Sequence, residues 1–430
     1  MSNSRLLPAA TDNFQALIYG ATIERKQEPH VIIGIPCETR PGETRVAMIP
    51  ANLQPWADSP VDFLIESGAG RSAGYADQDY IDAGAALAAS RDDLFARADI
   101  VLQVQSFGAN TVSADADLER LRAGQLIIGM TDPLANPAAA KELAERGVSS
   151  LSLELIPRIS RAQSMDVLSS MATLAGYHAV LMGAVDAPRI LPMLMTAAGT
   201  LTAARVFIMG AGVAGLQACA TAKRLGAIVE AYDVRPAARE QILSVGAKPI
   251  ELELETDTSE DKGGYAKAQG EDFLRRQREL MTAVLAQQDI VITTAAVPGA
   301  KSPILITAEM VKAMKPGAVI VDIAAERGGN CELTQLNQTV IAEGVKILGP
   351  ENIPARHAYH ASQMYGKNME TLLKLILEQG ELRLDFEDDI IREAVVTHGR
   401  DIINARIRTA LGSEPAPGVS AGTVADTVKE

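Results

Sequence analysis

The feature that most constrains the fold of this 430-residue chain is a glycine-rich turn between an apolar run and a helical stretch. The segment reads Arg205-Val-Phe-Ile-Met-Gly210-Ala-Gly212-Val-Ala-Gly215, so a strand-like run leads directly into Gly-x-Gly-x-x-Gly. In such a unit the first glycine makes the tight turn, the second lets backbone approach a pyrophosphate, and the third lets the helix pack on the strand. The helix N-terminus then offers N–H groups and partial positive charge to phosphates. This context predicts a dinucleotide-binding fold; the alternative is a glycine-rich turn that binds nothing.

An acidic residue follows at a distance that suits a ribose contact. The next apolar run, 227–232, ends at Asp233, 23 residues after Gly210. A carboxylate near this spacing accepts hydrogen bonds from ribose hydroxyls and repels a 2′-phosphate, which favours NAD(H) over NADP(H). Arg235 is open to two interpretations, a phosphate or adenine contact or an ordinary surface arginine.

Apolar runs that alternate with stretches at helical spacing predict the fold class. Such runs are typical of buried parallel strands in βαβ units. They form two groups, on either side of an Ala-, Leu- and Met-rich stretch, 162–204, which we interpret as one or two helices. We predict an α/β protein with two doubly wound, parallel-sheet, Rossmann-like domains joined by long helices. The predicted division is an N-terminal extension 1–30, a first domain 31–160 plus 360–410, an NAD-binding domain 161–355 and a flexible tail 411–430.

Composition excludes several classes of function. The formal net charge of −14 argues against a nucleic-acid partner, which needs clustered cations. Three scattered cysteines give no disulfide framework and favour a reducing compartment. The chain has no run of 18 apolar residues, and its first thirty residues lack a signal-peptide pattern, so we expect a cytoplasmic protein that does not insert into a membrane. His357 and His360 have no obvious Cys or carboxylate partner, so no metal site is expected.

A polar cluster lies where the chain leaves the first predicted domain. Gln163, Asp166 and a serine at 169 or 170 fall on one face if they begin a helix, and Arg158 lies just upstream, able to pair with Asp166. A guanidinium, a carboxylate, an amide and a hydroxyl facing an interdomain cleft suit a nicotinamide or substrate site. The alternative is an amphipathic helix start, capped by a serine, with its charges in solvent.

Two further segments are candidates for contacts with a nucleotide. Thr293-Thr-Ala-Ala-Val-Pro-Gly299 follows a predicted strand, and ligands of open parallel sheets bind outside the carboxyl ends of strands. This turn is therefore placed beside the nicotinamide ribose, or is an ordinary strand-to-helix turn. The polar insertion 255–270, which contains Tyr265, is interpreted either as a lid or as a solvated loop.

Several of these segments resemble the NAD(H)-binding component of proton-translocating nicotinamide nucleotide transhydrogenases, in the alanine dehydrogenase/transhydrogenase superfamily. The resemblance is carried by Pro157-Arg-Ile-Ser-Arg-Ala-Gln-Ser-Met-Asp-Val-Leu-Ser-Ser170, Gly210-Ala-Gly-Val-Ala-Gly215, Asp233-Val-Arg-Pro236, Gly263-Gly-Tyr-Ala-Lys267, Thr293-Thr-Ala295 and Ala324-Ala-Glu-Arg-Gly-Gly-Asn-Cys331. The opening Ile35-Pro-Cys-Glu-Thr-Arg-Pro-Gly-Glu-Thr-Arg-Val-Ala-Met-Ile-Pro50 is shared with alanine dehydrogenases.

The resemblance implies a role for individual residues. Gln163 would lie between the two nicotinamide nucleotides, with Arg158, Asp166 and Ser169 around the carboxamide of NAD(H), and Tyr265 would belong to a mobile loop that closes on the nucleotide. The implied contacts of NAD(H) are Arg158, Gln163, Asp166, Ser169, Gly210, Gly212, Val213, Gly215, Asp233, Val234, Arg235, Gly264, Tyr265, Gln277 and Ala296.

The resemblance also implies partners. It describes a homodimer that binds NAD(H), docks on an NADP(H)-binding component, and lies at the cytoplasmic side of the membrane through a membrane-spanning proton channel. The 430 residues contain no second dinucleotide motif and no membrane-spanning run. We therefore expect the NADP(H) site and the channel on other chains or outside this sequence.

Two alternatives remain, an alanine-type NAD-dependent amino acid dehydrogenase and a non-catalytic NAD-sensing module. Chemistry on an amine and an imine needs cationic and acid–base groups, and alanine dehydrogenases have a Lys after the third strand and a His after the fourth. Here these places read Leu102-Gln-Val-Gln-Ser106 and Ile128-Gly-Met-Thr-Asp-Pro133, and only Arg45 of the opening remains. Hydride transfer between nicotinamides needs two aligned rings about 3–3.5 Å apart and no general base, which favours the transhydrogenase.

Overall fold

The computed structural model of the protein describes residues 30–251, 271–297 and 299–412. The predicted extension up to residue 29, the polar insertion 255–270 and the tail beyond residue 412 lie outside the described residues. Within these residues, the chain forms two α/β halves around two large, mostly parallel sheets, which confirms the predicted fold class.

The first sheet is wound outward from its centre in both directions. Across it the strands run β19-β18-β6-β5-β4-β1-β2-β3. Strands β1 to β6 are parallel, whereas β18 and β19 extend one edge with antiparallel pairing that the sequence did not lead us to expect. The strands are β1 (Val31–Ile35), β2 (Val61–Ile65), β3 (Ala86–Leu87), β4 (Ile100–Gln105), β5 (Leu126–Met130), β6 (Ser149–Ser152), β18 (Val395–His398) and β19 (Asp401–Ile402). A separate antiparallel hairpin of β16 (Leu377–Glu378) and β17 (Glu381–Leu382) precedes β18 in the chain.

Helices cover both faces of this sheet, which explains why central strands such as β1 and β5 are apolar and buried on both sides. The helices α3, α4 and α5 bury Leu94, Phe95, Leu118 and Leu143 on one face. The other face is covered mainly by α11 and α12. The helices of this half are α1 (Pro50–Leu53), α2 (Asp77–Asp82), α3 (Arg91–Arg97), α4 (Asp115–Arg120), α5 (Pro137–Arg146), α11 (Ala358–Ile376), α12 (Asp389–Ala394) and α13 (Ala405–Ala410), with short 3₁₀ helices at Gln54–Trp56, Arg71–Ala73, Leu153–Leu155 and Ser160–Met165.

The second sheet runs β11-β10-β9-β12-β13-β15-β14, parallel except for the edge strand β14. The chain leaves β9 for β10 and β11, then crosses to β12 on the other side of β9, so the sheet reverses between β9 and β12. Its strands are β9 (Arg205–Met209), β10 (Ile228–Tyr232), β11 (Lys248–Pro249), β12 (Ile290–Thr293), β13 (Val319–Asp322), β14 (Gln338–Ala342) and β15 (Val345–Gly349).

The helices α6, α7 and α8 pack on one face of the second sheet and α9 and α10 on the other. They are α6 (Val167–Asp186), α7 (Val213–Arg224), α8 (Ala238–Ser244), α9 (Glu271–Leu285) and α10 (Ala308–Lys312), with 3₁₀ helices at Ala325–Arg327 and Ile353–His357.

The long helix α6 belongs to the cores of both halves. Val167 and Met171, near its start, are buried with the first sheet, whereas Ala179 and Val180 are buried with the second. Within the described residues, α6 is the one helix long and apolar enough to cross a membrane by length and composition. Since it contributes to both cores, we interpret it as an interior helix that joins the halves.

The stretch after α6 corrects one expectation. We predicted one or two helices over 162–204, but α6 ends at Asp186 and the chain forms an antiparallel hairpin of β7 (Leu194–Thr196) and β8 (Gly199–Leu201). Pro188 and Pro192 explain the difference, since proline lacks the N–H that a helix interior requires.

The contact between α6 and α7 leaves no room for a side chain at Gly176. A Cβ atom at this position would lie 2.0 Å from the carbonyl oxygen of Ala214, in the first turn of α7. We expect Gly176→Ala to lower the free energy of unfolding by about 1–3 kcal/mol, because overpacking separates the two helices. Thermal and chemical denaturation measure the effect. Val185→Ala, at an exposed position of the same helix, is the control and should stay within about 0.5 kcal/mol of wild type; equal effects would contradict the packing argument.

Candidate nucleotide site

The glycine-rich turn joins β9 to α7 in the geometry that phosphate binding requires. Gly210 has a φ of 99°, which a side chain disfavours, and a Cβ on Gly215 would lie 1.8 Å from the Gly210 carbonyl oxygen. A Cβ on Gly212 would instead meet nothing within 4 Å. The turn therefore leaves open space beside Gly212, in front of the N–H groups of a helix that begins at Val213.

The turn lies at the point where the second sheet reverses direction. Strands β9 and β12 are neighbours, and the carboxyl ends of such a pair border the crevice in which open α/β sheets bind ligands. Thr294, directly after β12, lies at the bottom of this crevice. Its backbone N–H donates to the carbonyl oxygen of Met209 (2.9 Å), and its hydroxyl donates to the carbonyl oxygen of Gly210 (3.0 Å).

Asp233 lies beside the same turn, at the end of β10. Its carboxylate accepts from the backbone N–H of Ala211 at 2.7 Å and from the Nε of Arg235 at 3.0 Å. Asp233 and Arg235 are both half-buried. The acid is therefore held next to the phosphate-binding turn, where a ribose of a bound dinucleotide would be accepted, and Arg235 is attached to it rather than extended into solvent.

The polar cluster forms a separate cavity of about 370 Å³, a size typical of small-ligand pockets. The four residues that we singled out from the sequence, Arg158, Gln163, Asp166 and Ser169, all line it. Their neighbours in the cavity wall are Pro157, Ile159 and Ala162.

Local folding explains how these residues come together. Gln163 belongs to the 3₁₀ helix that precedes α6, whose three-residue turn places it next to the α6 start. Asp166 is the N-cap of α6: it accepts from the backbone N–H of Ser169 at 2.9 Å and from its hydroxyl at 2.6 Å. The cap is thus this aspartate and not a serine, and Ser169 holds its carboxylate in place at the cavity.

Helix α6 connects the cavity with the glycine-rich turn. Its first turn lines the cavity, and Gly176, ten residues beyond Asp166, contacts Ala214 in α7. Ten residues of α-helix measure about 15 Å. A dinucleotide has two nucleotide halves, and this helix fixes two candidate half-sites relative to each other.

Of the other residues predicted to contact the nucleotide, the structure describes some and not others. Val213 is 40% exposed at the start of α7, Val234 follows Asp233 in the chain, and Ala296 is exposed three residues after β12. Gln277 lies within α9. Gly264 and Tyr265 lie outside the described residues.

Sequence reasoning missed two buried residues behind this crevice, Asp322 and Asn330. Asp322 ends the otherwise apolar strand β13 and is fully buried, as is Asn330 in the loop that follows. The signal was available, because a carboxylate at the end of a buried strand has to be hydrogen-bonded.

The equivalent crevice of the first sheet, between β1 and β4, is filled by the protein itself. Glu38, after β1, accepts from the backbone N–H groups of Val104 (2.6 Å) and Gln105 (3.1 Å) in β4. Arg45 is 3% exposed and makes a bidentate pair with Glu43, with distances of 2.7 and 2.6 Å. Arg45, in the opening that resembles alanine dehydrogenases, is thus already neutralised by its pairing with Glu43.

The pKa values of the two acids in this crevice, Glu38 and Glu43, are shifted in opposite directions. Burial, followed by the nearby Glu43 carboxylate, raises the pKa of Glu38 to about 8. Burial opposes ionisation of Glu43 as well, but the charge and hydrogen bonds of Arg45 outweigh it and lower the pKa of Glu43 to about 2. Near neutral pH the crevice thus holds a protonated Glu38 and an ion pair.

Two family models together match nearly the whole described chain. The model described as "Alanine dehydrogenase/PNT, N-terminal domain" matches residues 34–175, and "Alanine dehydrogenase/PNT, C-terminal domain" matches residues 179–405. The chain belongs to the alanine dehydrogenase/PNT family.

Within this family the chain is similar to transhydrogenase subunits. An NAD(P) transhydrogenase subunit alpha chain of Rhodospirillum rubrum is 43% identical over 375 residues, 86% of this chain and 97% of that protein. The NAD(P) transhydrogenase subunit alpha of Haemophilus influenzae is 38% identical over 400 residues, 92% of this chain and 76% of that protein. The structure of a transhydrogenase from Sinorhizobium meliloti superposes with a TM-score of 0.77 at 42% identity, covering 86% of this chain and all of that one.

Alanine dehydrogenases are more distant members of the family. The enzyme of Mycobacterium tuberculosis is 29% identical over 395 residues, 89% of this chain and 98% of that protein. An L-alanine dehydrogenase structure has a TM-score of 0.73 at 23% identity, which shows the shared fold alone. The transhydrogenase interpretation of the sequence is therefore favoured over the dehydrogenase.

The buried Glu38 predicts a pH dependence of stability. Because its pKa is about 8 in the folded protein and near 4.5 in an unfolded chain, the folded state binds this proton more tightly. The contribution of protonated Glu38 to the free energy of unfolding is present at low pH and is lost as the pH rises through about 8. Between pH 6.5 and 9 the free energy of unfolding should fall by about 1–2 kcal/mol from this group.

Chemical denaturation of Glu38→Gln at both pH values tests this effect. The variant should lose most of the slope, even if its absolute stability is lower because an amide opposes one backbone donor. Glu378→Gln, at an exposed ion pair with Arg383, should keep the wild-type slope. An unchanged slope in Glu38→Gln would mean that Glu38 is ionised in the folded protein.

Proposed function

We propose that this chain is the peripheral, NAD(H)-binding subunit of a nicotinamide nucleotide transhydrogenase. Hydride passes between NAD(H) bound here and NADP(H) bound on a partner component, coupled to proton translocation by a membrane component. The proposal depends above all on one observation: the cavity of Arg158, Gln163, Asp166 and Ser169 is fixed by α6 to a complete dinucleotide-binding turn.

The chemistry of the cavity agrees with hydride transfer between two nicotinamides. The bound cofactors supply the hydride donor and acceptor, so the protein needs to align two rings rather than move a proton. Asp166 is engaged by Ser169, which suits holding a carboxamide better than acid–base work. Gln163 is exposed at the cavity, where its amide can contact a nucleotide on a partner protein as well as one on this chain.

The glycine-rich turn and the end of β10 form the other half-site of this proposal. The pyrophosphate is placed at Gly210, Gly212, Val213 and Gly215, and the adenosine half at Asp233, Val234 and Arg235. The carboxylate of Asp233 next to the turn disfavours a 2′-phosphate, hence NAD(H) rather than NADP(H). Ala296 borders the nicotinamide side, and Gln277, Gly264 and Tyr265 remain contacts proposed from the family resemblance.

We also propose that two copies of the chain form a homodimer through the hairpin of β7 and β8. Both strands are exposed along their whole length. Met193, Leu194, Met195 and Leu201 are between 44% and 78% exposed, a concentration of apolar side chains that marks an interaction surface. A two-fold dimer is the commonest way to bury such a patch.

The remaining assignments follow from the proposed subunit. The chain divides into domains 31–160 with 360–410 and 161–355, and the cleft between them receives the NADP(H)-binding component. The protein lies at the cytoplasmic face of the membrane through its membrane-spanning partner, without inserting itself and without binding nucleic acid.

Two assays on the purified chain test the proposed function. NADH should bind, as followed by its fluorescence, more tightly than NADPH because of Asp233, and alanine should not reduce NAD because Arg45 is already paired. Turnover of alanine would favour the dehydrogenase. NADH binding without hydride transfer to any NADP(H)-binding component would favour a sensing module.

A substitution of Gln163 separates binding from transfer. Gln163→Asn keeps the side-chain amide but shortens the side chain by one methylene. The two nicotinamide rings therefore lose their alignment, while the contacts of this chain with the phosphates and the ribose of NADH remain. We expect the single-turnover rate of hydride transfer, measured with a wild-type NADP(H)-binding component, to fall about tenfold or more. The Kd of NADH should change less than about threefold.

The matched control is Gln78→Asn, at an exposed glutamine of α2 that is bonded to Asp82. It should leave both the rate and the Kd at their wild-type values. Equal losses of rate and affinity in Gln163→Asn would contradict a role of Gln163 between the two nucleotides.

A further inference from the structure

The backbone after β12 is held by a side chain from a different loop. The amide oxygen of Asn330 accepts from the N–H of Ala295 at 2.9 Å, and its amide nitrogen donates to the carbonyl of Ala295 at 2.8 Å. The same nitrogen donates to the carbonyl of Pro303 at 2.9 Å. Asn330 thus pairs with both polar groups of one residue, as a neighbouring strand would.

Asn330 is itself fixed by Asp322. The carboxylate of Asp322 accepts from the backbone N–H of Asn330 at 2.8 Å, and from those of residues 324 and 331 at 3.1 and 2.9 Å. It also accepts from the hydroxyls of Thr293 (2.9 Å) and Thr334 (2.6 Å). Five donors around one fully buried carboxylate connect the end of β12 with the loop that carries Asn330.

The residue that Asn330 holds is at the crevice. Ala295 follows Thr294, whose hydroxyl donates to the carbonyl of Gly210 in the glycine-rich turn, and precedes the exposed Ala296. Asn330 and Asp322 lie behind this segment, fully buried, and cannot contact a ligand in the crevice.

The loop before Asn330 also reaches the first half of the chain. Arg327 forms an ion pair with Asp132, after β5, at 2.6 Å. Arg40, after β1, contacts the neighbouring Glu326 at 3.4 Å. The segment from Asp322 to Asn330 is therefore anchored both by the other half of the protein and by the second sheet.

We propose that Asn330, supported by Asp322, is a positioning residue that sets the backbone of Ala295 and Ala296 against the nicotinamide half of NAD(H). This inference depends on the proposed function, because it uses the placement of that half beside β12. Loss of the Asn330 amide displaces the turn without removing any contact to the pyrophosphate or to the adenosine half.

The test is Asn330→Asp, which keeps the shape and the acceptor of asparagine but cannot donate to the two carbonyls. Asn404→Asp is the control: Asn404 is also buried, accepts from backbone N–H groups at the start of α13, and donates to the carbonyl of Glu393 at 2.8 Å. Both variants place a carboxylate at a buried asparagine whose amide nitrogen donates to backbone. Asn330, behind the crevice, donates to two carbonyls, and Asn404, in the first half, donates to one.

Three quantities are measured for each variant: the Kd of ADP-ribose, the Kd of NADH, and the single-turnover hydride transfer rate with a wild-type NADP(H)-binding component. In Asn330→Asp we expect ADP-ribose to bind within about twofold of wild type, NADH to bind several-fold more weakly, and transfer to slow about tenfold or more. In Asn404→Asp all three should stay within about twofold of wild type, whatever the loss of thermal stability.

Equal weakening of ADP-ribose and NADH in Asn330→Asp would overturn the proposal, since the effect would not be confined to the nicotinamide half. Wild-type values in Asn330→Asp, or the same losses in Asn404→Asp, would overturn it as well. Absence of transfer by wild type would contradict the proposed function instead, while the comparison of ADP-ribose with NADH still decides the role of Asn330.

Discussion

The site depends on the contact between two helices, α6 and α7, at Gly176. One helix begins in the polar cavity and the other begins at the glycine-rich turn, and each is packed into the core of the second sheet. Because the Ala214 carbonyl occupies the space that a side chain at 176 would need, the helices touch at backbone distance. Close backbone contact allows little sliding, since interiors are packed as densely as organic crystals. The separation of the two candidate half-sites is therefore set by the packing of these helices and not by flexible loops.

The two sheets share an architecture but use their crevices in opposite ways. In the second sheet, Thr294 lies on the floor of the crevice and open space remains beside Gly212. In the first sheet, the carboxyl oxygens of Glu38, after β1, accept hydrogen bonds from two backbone N–H groups of β4, and Arg45 is paired with Glu43. A buried arginine whose donors are already satisfied gains little from a substrate carboxylate, because the existing pair would have to be broken first. Arg45 is therefore not a free cation for a substrate carboxylate in the first crevice, whereas the second crevice keeps open space beside its glycine-rich turn.

Much of the fold was predictable because its signals are local. The three glycines of the turn, at fixed spacing, and the acid at 233 each have a distinct steric or electrostatic role. Apolar runs such as 205–209 are buried, as expected. The hairpin at 194–201 was not predicted, since an Ala-, Leu- and Met-rich stretch favours helix locally and only the prolines indicate otherwise. The pairing of Asn330 with Ala295 was also missed. It joins residues 35 positions apart, and no local pattern reports a contact between two loops.

The composition of the cavity limits what chemistry it can perform. Among the residues that line the cavity, Asp166 carries the carboxylate. The backbone N–H and the hydroxyl of Ser169 donate to its two oxygens as part of the helix cap. Because this cap satisfies a backbone donor at the start of α6, Asp166 has a structural role as well as a place in the cavity wall. A carboxylate whose two oxygens are both engaged at the start of the helix it caps has little freedom to approach a reacting atom. This arrangement suits a reaction that transfers a hydride and needs no general acid or base in the cavity.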